Sequence, residues 1–436
     1  MKYAETVSEM LNAFQPRALD GEELKLYYCD NTILVRTGNP GNSPIRRIRE
    51  ACQMPRENNT FLLGGHRGCG KSTELNEMSR ELRDNDFHVE IIPCGQLLDT
   101  FQLVYSDLLI LTGDALLRIA GELGCQINER LDKTLKEFWT EKEFTTTLLD
   151  DSELSAQAGI TAKTPSVIQN LLKFSFTAKS SLKFEEERRT IIRKRVTNRL
   201  SEWTRAMNEL SDLITEKLEG KQPILIFEDL DKIDAEEAWK VFGERGSVMS
   251  AFTFPVIYTF PIALAYVPKF NTLRDRYNVE QFPMIKVEKL QGGRCDEGFA
   301  TIRSIVEKRA DLNLFERDVL DLAIEKTGGS LRDLFGVILD AATSANWRGS
   351  GSVSMEDIQL ALQNLKSVLT RTIEEDDYDF LAKIVHGYRQ KIKEREKLLE
   401  MLQGGIVLEY NGVRWHNVHP LVTDFLREQG LLTGEG

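Results

Sequence analysis

The chain of 436 residues carries a net charge of −12 and has an isoelectric point of about 5.2, which argues against general binding of polyanions but leaves a local basic patch open. A hydrophobic fraction of 41% over this length predicts two or three domains with buried cores. The six cysteines are scattered without a C-x-x-C pair, which argues against a structural zinc site and a secreted disulfide framework and favours reduced thiols in the cytoplasm.

Residues 1–58 form an N-terminal lead-in ahead of the predicted core. The segment from Met1 to Gln15 is amphipathic and polar and lacks the apolar run of a signal peptide. A loop rich in glycine, asparagine and proline over residues 38–44 precedes a short helix, Ile45 to Cys52. We expect this helix to lead into the first strand of the core.

A phosphate-binding loop follows that strand. Phe61 to Leu63 indicate the end of a buried parallel strand, and Glu74 to Arg83 indicate a helix. The sequence between them fits G-x-x-x-x-G-K-[ST], in which backbone N–H groups and the helix N-terminus hold a di- or triphosphate. We expect Lys71 on the β- and γ-phosphates and Ser72 on Mg²⁺. The predicted nucleotide-binding residues are Gly65, His66, Arg67, Gly68, Cys69, Gly70, Lys71, Ser72 and Thr73.

The predicted core, residues 59–289, carries an insertion at about 99–220. Before it, Val89 to Pro93 indicate a second strand, and Phe101 to Leu123 indicate a helix or a helix pair. Residues 140–183 are rich in serine, threonine, alanine and lysine, which predicts a flexible insertion or an exposed hairpin.

One long helix is predicted from Phe184 to Glu219, with apolar residues spaced four and three apart. This seam packs on the domain's own core or, alternatively, in a coiled coil with a partner. The basic residues in its first half form a solvated face or, alternatively, a nucleic-acid contact.

Acidic residues follow the next predicted strand, Ile224 to Phe227. Because ligands bind at the carboxyl ends of strands in open parallel sheets, Glu228 and Asp229 are predicted to face the phosphates. Hydrolysis needs an acid near Mg²⁺ and an acid near the attacking water. We expect Glu228 on the metal and Asp229 on the water, with the reverse division also open. Asp231 is expected to cap the following turn.

The fourth strand is predicted over Phe254 to Thr259, inside an uncharged stretch from Ala251 to Pro268. Three prolines in this stretch favour a buried strand and a turn over a membrane span. No membrane partner is therefore expected. Thr259 ends the strand, where a polar group can sense the γ-phosphate. A threonine with no such role is the alternative.

Residues 290–370 predict a helical lid. Arg332 follows Gly328 and Gly329 in the first turn of a lid helix, from which an arginine can reach a phosphate. A solvated position for Arg332 is the alternative. The four lid helices are predicted at Glu297–Arg309, Glu316–Lys326, Leu331–Ala345 and Met355–Leu369.

In this order the motifs resemble those of AAA+ ATPases, and more narrowly the branch that holds origin-recognition initiators and STAND signalling ATPases. Residues 227–232 are similar to the acidic signature of STAND and KAP-type ATPases. The resemblance covers about residues 40–370 and implies ATP rather than GTP, an α/β core with a five-stranded parallel sheet, and a helical lid. The catalytic residues it implies are Lys71, Glu228, Asp229, Thr259 and Arg332.

Two departures from that pattern stand out. Lys71 and Asp229 are separated by far more chain than in a minimal AAA+ core, which is why an insertion is predicted. No arginine finger is secure, although Arg274, Arg276 and Arg294 are candidates.

The last module, residues 371–436, resembles a winged-helix domain. A helix from Glu394 to Gln403 precedes two short strands about a type I′ turn at Asn411-Gly412, and a helix from His419 to Glu428 follows. Protein contact or autoinhibitory packing is favoured over DNA binding, because an acidic run at residues 374–377 would repel a phosphate backbone.

The favoured function is a slow regulatory ATPase that switches a protein effector or complex partner, by analogy in a bacterial anti-phage defence system. An initiator or loader that binds DNA through the winged helix is the first alternative. A nucleotide-binding scaffold with negligible turnover is the second. A homo-oligomer that forms with nucleotide is also expected.

Overall fold

The computed structural model describes residues 1–30, 32–54, 58–98, 103–139, 185–387, 389–390, 392–410 and 414–432. The flexible insertion or hairpin predicted at 140–183 lies outside the described residues, as does the predicted Asn411-Gly412 turn.

A five-stranded parallel sheet lies at the centre of the molecule. Its strands are β1 (Thr60–Gly65), β2 (Val89–Pro93), β3 (Ile224–Glu228), β4 (Val256–Pro261) and β5 (Asn278–Gln281). The strand order is β2-β3-β4-β1-β5, so β4 separates the strand before the P-loop from the strand before the acids. Both β1 and β4 are buried along their whole length, as expected of a parallel sheet covered on both faces. The predicted α/β class with a five-stranded parallel sheet is confirmed.

Helices cover both faces of this sheet, and four further α-helices lie in the described part of the segment that precedes β1. The N-terminal and core helices are α1 (Val7–Ala13), α2 (Glu22–Tyr27), α3 (Thr32–Thr37), α4 (Pro44–Cys52), α5 (Lys71–Asp84), α6 (Cys94–Leu97), α7 (Tyr105–Glu122), α8 (Glu129–Trp139), α9 (Glu185–Asn198), α10 (Leu200–Lys217), α11 (Ala235–Ala238) and α12 (Gly246–Met249).

The long helix predicted from Phe184 to Glu219 is two helices, α9 and α10. They meet at Arg199, whose φ of −133° and ψ of 42° are not helical. The apolar seam is buried in the same hydrophobic cluster as sheet residues, so packing on the protein's own core is the correct alternative. In the basic first half, Arg193 forms an ion pair with the buried Asp107 at 2.6 Å. That arginine stabilises the fold.

A second hydrophobic cluster holds the helices that follow the sheet. They are α13 (Asp296–Glu307), α14 (Val319–Lys326), α15 (Leu331–Trp347) and α16 (Met355–Leu369). The N-terminal helix α1 packs into the same cluster, where the rings of Phe14 and Phe335 meet edge to face at 5.7 Å. The start of the chain therefore shares a core with the four helices of the predicted lid.

The C-terminal module consists of α17 (Glu375–Val385), α18 (Arg395–Gln403), β6 (Val407–Tyr410), β7 (Trp415–Val418) and α19 (Pro420–Glu428). The strands β6 and β7 form an antiparallel hairpin. Ile262, which follows β4, is buried in the module's apolar cluster beside Leu398 of α18. The module therefore packs directly on the core, and its identification as a winged helix stays an interpretation. Within the described ranges, no helix is long and apolar enough to cross a membrane.

Candidate active site

The P-loop, the turn after β3, the start of α15 and the N-terminal segment enclose a cleft of about 390 Å³. Because β1 and β3 are parallel and separated only by β4, their carboxyl ends open on the same edge of the sheet. The predicted residues that line this cleft are Arg67, Gly68, Gly70, Lys71, Ser72, Thr73, Glu228, Asp229 and Arg332.

Glycine is needed at two points of the P-loop. Gly70 has a φ of +101°, a backbone conformation that residues other than glycine rarely adopt. At Gly68 a Cβ atom would lie 2.5 Å from the Cβ of Arg332. The backbone N–H groups of Leu331 and Arg332 donate to the carbonyl of Gly68 at 3.1 and 3.3 Å. Because Gly68 has no side chain, helix α15 contacts the loop directly.

The ammonium of Lys71 is buried and forms an ion pair with Asp231, with Nζ and Oδ2 2.8 Å apart. It also donates to the carbonyls of Gly65 and His66 at 2.9 and 2.8 Å. Burial opposes the charge of each partner, but their attraction outweighs it, so the pKa of Lys71 is raised and that of Asp231 is lowered. Asp231 was expected to cap the next turn. Its pairing with Lys71 corrects that expectation.

Glu228 lies at the end of β3 beside Ser72, with which its side chain is hydrogen-bonded. Burial, followed by the charge of Asp229, raises the pKa of Glu228 to about 7. Its Oε1 atom is buried and has no hydrogen-bond partner in the described part of the chain. A carboxylate oxygen without a partner beside a serine hydroxyl is a donor set that fits Mg²⁺.

Asp229 begins the turn after Glu228 in the left-handed region, with φ +68°. Its Oδ1 atom forms an ion pair with Nζ of Lys232 at 2.7 Å, and both residues line the cleft. The guanidinium of Arg67 donates to the backbone carbonyl of Lys232 at 2.7 Å. Arg67 thus holds the P-loop and the acidic turn together, whereas the sequence predicted for it only a role in nucleotide binding.

Thr259 is buried in β4 and is not among the residues that line the cleft. Its hydroxyl donates to the carbonyl of Phe227 at 3.2 Å and accepts from the N–H of Leu230 at 3.1 Å. The expectation that Thr259 faces the γ-phosphate disagrees with this position. Its hydroxyl instead fixes the backbone on both sides of Glu228 and Asp229.

We expect Thr259→Val to slow hydrolysis while leaving nucleotide affinity nearly unchanged. Valine keeps the volume but leaves the buried N–H of Leu230 unsatisfied, which costs about 1–3 kcal/mol. Phosphate release and thermal unfolding would be measured side by side. Thr259→Ser keeps the hydroxyl and should behave like the wild type. A loss of ATP affinity in the valine variant with unchanged hydrolysis would contradict the positioning role.

Arg332 is exposed and lines the cleft from the first turn of α15, and its charge contributes to the lowered pKa of Asp231. Among the candidates for an arginine finger, Arg294 forms ion pairs with Asp296 and Asp321 at 3.1 and 3.0 Å. Its side chain is therefore engaged within its own chain. A finger role for Arg274 or Arg276 stays a prediction.

The N-terminal segment forms a wall of the cleft that the sequence did not predict. The N–H of Leu19 donates to the hydroxyl of Thr73 at 3.2 Å. The side chain of Arg36 is buried over the ring of Phe282, 4.5 Å from its centroid. Residues 54 positions and more apart in sequence meet here, and no local pattern indicates such contacts. Leu19, Tyr27 and Tyr28 of this segment line the cleft and give it an apolar and aromatic side next to the phosphate-binding loop.

His66 belongs to the P-loop, but its side chain points away from the cleft toward the C-terminal hairpin. Its Nε2 atom accepts a hydrogen bond from the backbone N–H of Glu409 in β6 at 2.7 Å. Next to it, the hydroxyl of Tyr410 donates to the carbonyl of Gly328 at 2.6 Å. The hairpin therefore contacts both the P-loop and the lid. The sequence offered no signal for either contact.

We expect His66 to make folding sensitive to acid. Burial, followed by the charge of Lys71, lowers the pKa of His66 from 6.5 to about 3. The unfolded imidazole gains a proton as the pH falls through 6.5, whereas the folded one does not, so the free energy of unfolding decreases. By about pH 5 this amounts to roughly 2 kcal/mol.

His66→Gln keeps an acceptor for the Glu409 N–H but cannot titrate, so its stability should fall less between about pH 7.5 and pH 5. Chemical unfolding at both pH values measures the difference. The same change at the exposed His386 serves as the control. Equal acid losses in the wild type and the His66→Gln variant would contradict a neutral buried imidazole.

No protein-family model matches this chain, and no curated protein matches it. Solved structures match along nearly its whole length. The ORC2 protein of Aeropyrum pernix in ADPNP–ADP complexes is 10% identical, with a TM-score of 0.40, 97% of this chain covered and 98% of that chain covered. The Walker-type ATPase of Pyrococcus abyssi is 15% identical, with a TM-score of 0.45 and coverage of 95% and 99%.

Cdc6p from Pyrobaculum aerophilum is 12% identical, with a TM-score of 0.34 and coverage of 97% and 98%. Two of the three names, ORC2 and Cdc6p, are of the origin-recognition type that the motifs resemble. At such identities and TM-scores, the similarity assigns no residue of this chain a role.

Proposed function

We propose that this protein binds and hydrolyses ATP and that the bound nucleotide controls its C-terminal module. The observation that carries the proposal is the double engagement of the P-loop. Lys71 points into the cleft against Asp231, while His66, five residues earlier, contacts the hairpin. One short loop thus joins a phosphate site to a second module.

The side chains of the cleft suit a nucleoside triphosphate. Lys71 and the N-terminus of α5 favour the β- and γ-phosphates, and Arg332 adds a cation from the lid. The wall that contains Leu19 and Tyr28 is suited to the base and sugar. The proposal of ATP rather than GTP comes from the resemblance to AAA+ ATPases.

Ser72 and Glu228 would hold Mg²⁺, which when bound neutralises charge on the phosphates. Asp229 lines the same cleft and is the proposed group that orients the attacking water. The buried hydroxyl of Thr259 keeps both carboxylates in their relative positions.

Lys71 is also the proposed link to the switch. Its ammonium donates to the carbonyls of Gly65 and His66, which lie on the same loop. Phosphates would compete for the same ammonium, since they are stronger acceptors than carbonyls. Releasing the His66 carbonyl would change the position of its ring, and with it the hydrogen bond to Glu409.

Hydrogen exchange tests this proposal on the full chain. We expect the amides of residues 404–419 to exchange at different rates without nucleotide, with ADP and with a non-hydrolysable ATP analogue. The amide of Glu409 should change most. Identical exchange of this segment in the three states, with binding established by calorimetry, would contradict the switch and leave ATP binding intact.

DNA binding by an initiator-like protein is the first alternative. In the described part of the C-terminal module several basic side chains face carboxylates, including Lys383 with Glu394 and Lys397 with Asp377. Such pairs weaken a phosphate-binding surface, so the switch is preferred. Negligible turnover, a role in defence, a cytoplasmic location and a nucleotide-dependent oligomer stay predictions, as does the division into four segments.

A further inference from the structure

A second cavity, of about 320 Å³, lies between the core and the C-terminal module. We call it the interdomain cavity. It shares no lining residue with the P-loop cleft. Its core side is formed by residues 265–268 and 270–271, and its other side by Gln390, Ile392, Arg395, Leu398, Arg414 and His416.

Two arginines give the interdomain cavity its charge. Arg395 is the first residue of α18, and Arg414 immediately precedes β7. Both are exposed, and neither forms an ion pair with a carboxylate among the described residues. The guanidinium of Arg414 lies over the ring of Tyr266, 5.4 Å from its centroid. The nearby lysines Lys383 and Lys397, in contrast, are paired. The cavity therefore presents two cations without an ion-pair partner among the described residues, and the charge of Arg414 also acts on the buried Glu409.

The wall behind these arginines is fixed by buried polar contacts. The hydroxyl of Tyr266 donates to the carboxylate of Glu409 and lies 2.7 Å from Nε2 of His416. The other ring nitrogen of His416 lies 3.0 Å from the carbonyl of Arg389. These contacts hold the wall in place within the chain itself. The wall is thus formed in advance, and the arginines remain available.

The rest of the interdomain cavity is apolar. Three apolar residues line it: Phe270 and Leu398, which are buried, and Ile392, which is partly buried. Ligand sites typically combine such apolar walls with a few charged groups, at volumes of about 300–1,000 Å³ and often between domains. This cavity lies at the lower end of that range, which limits the ligand to a small molecule.

We propose that the interdomain cavity binds a small organic anion, with a phosphate on Arg395 and Arg414 and a flat apolar body against Phe270 and Leu398. Guanidinium groups bind phosphate oxygens through paired hydrogen bonds, and two of them at one cavity provide a specific anchor. Because the site joins the core to the C-terminal module, its ligand stabilises the docked arrangement of the two. The inference does not depend on nucleotide at the P-loop.

Calorimetry with AMP as the probe tests this site on the full chain carrying the P-loop substitutions Lys71→Ala and Asp231→Asn, which weaken phosphate binding in the P-loop cleft and leave the lining of the interdomain cavity unchanged. Inorganic phosphate is the second probe, for the arginines alone. We expect AMP to bind at one site and the double variant Arg395→Gln/Arg414→Gln to weaken this binding about tenfold or more. Phosphate should bind more weakly than AMP and lose its binding in the same variant.

The matched control is Arg427→Gln, which removes one exposed arginine of α19 outside the cavity and should leave AMP binding unchanged. Thermal unfolding checks that every variant is folded. No binding of either probe at millimolar concentration, or equal AMP binding by the double variant, would overturn the proposal. A short DNA duplex that displaces AMP and depends on the same two arginines would also overturn it, in favour of a nucleic-acid contact.

Discussion

Replacing Lys71 with alanine is expected to reduce ATP affinity about 10- to 100-fold. Among the described lysines that line the cleft, only Lys71 donates to carbonyls of the P-loop. A charged hydrogen bond from its ammonium to a phosphate contributes about 1.5–3 kcal/mol. Calorimetric titration with ATP measures the loss.

The same substitution leaves Asp231 without its cation. Breaking a buried ion pair from one side costs about 3–5 kcal/mol, so weak binding by the single variant could reflect partial unfolding. The double variant Lys71→Ala/Asp231→Asn removes the unpaired charge as well. We expect it to recover thermal stability and not ATP affinity. Recovery of ATP affinity in the double variant would contradict a direct role of Lys71 on the phosphates.

Replacing Asp229 with asparagine is expected to trap ATP without hydrolysis. Its carboxylate lines the cleft two residues from Asp231, and a positioned general base contributes about 10²–10⁴-fold to a rate. Asparagine has nearly the same shape, so binding should change little. Phosphate release under single-turnover conditions, together with nucleotide retention, measures both quantities.

Glu228→Gln is the matched comparison for the division of roles. Since Glu228 lies against Ser72, its loss should raise the Mg²⁺ concentration needed for ATP binding, whereas the loss of Asp229 should not. Wild-type phosphate release by the Asp229→Asn variant would exclude Asp229 as the group that acts on water. An unchanged Mg²⁺ requirement in the Glu228→Gln variant would exclude Glu228 from the metal site.

The sequence predicted the features that depend on residues close together along the chain. Strands β2 and β3, the P-loop and the acids after β3 all produce a local pattern, since apolar runs, glycines and carboxylates lie within a few residues of one another. The lid helices follow from their apolar spacing in the same way. The helix over Met355 to Leu369 agrees with the structure at both ends.

Contacts between residues that are far apart in the sequence produce no such local pattern. Asp231 looked like a cap, because its partner Lys71 lies 160 positions earlier. Thr259 looked like a sensor, because its two backbone partners, Phe227 in β3 and Leu230 in the turn after it, lie about 30 positions earlier in the sequence. The contact from His66 to Glu409 joins residues 343 positions apart, and only the packing of the C-terminal module creates it.

Fluorine NMR tests most directly whether the P-loop and the hairpin act together. Trp415 stacks on Tyr410 in the hairpin, with ring centroids 4.6 Å apart, and thus reports on its position. The full chain would be labelled with 5-fluorotryptophan, and Trp415→Phe would assign one of the five resonances. We expect the Trp415 resonance to shift when Mg²⁺ and ATP are added to the wild type. The His66→Ala variant should still bind ATP without that shift. An unshifted resonance in the ATP-bound wild type, or the same shift in the ATP-bound His66→Ala variant, would contradict the account.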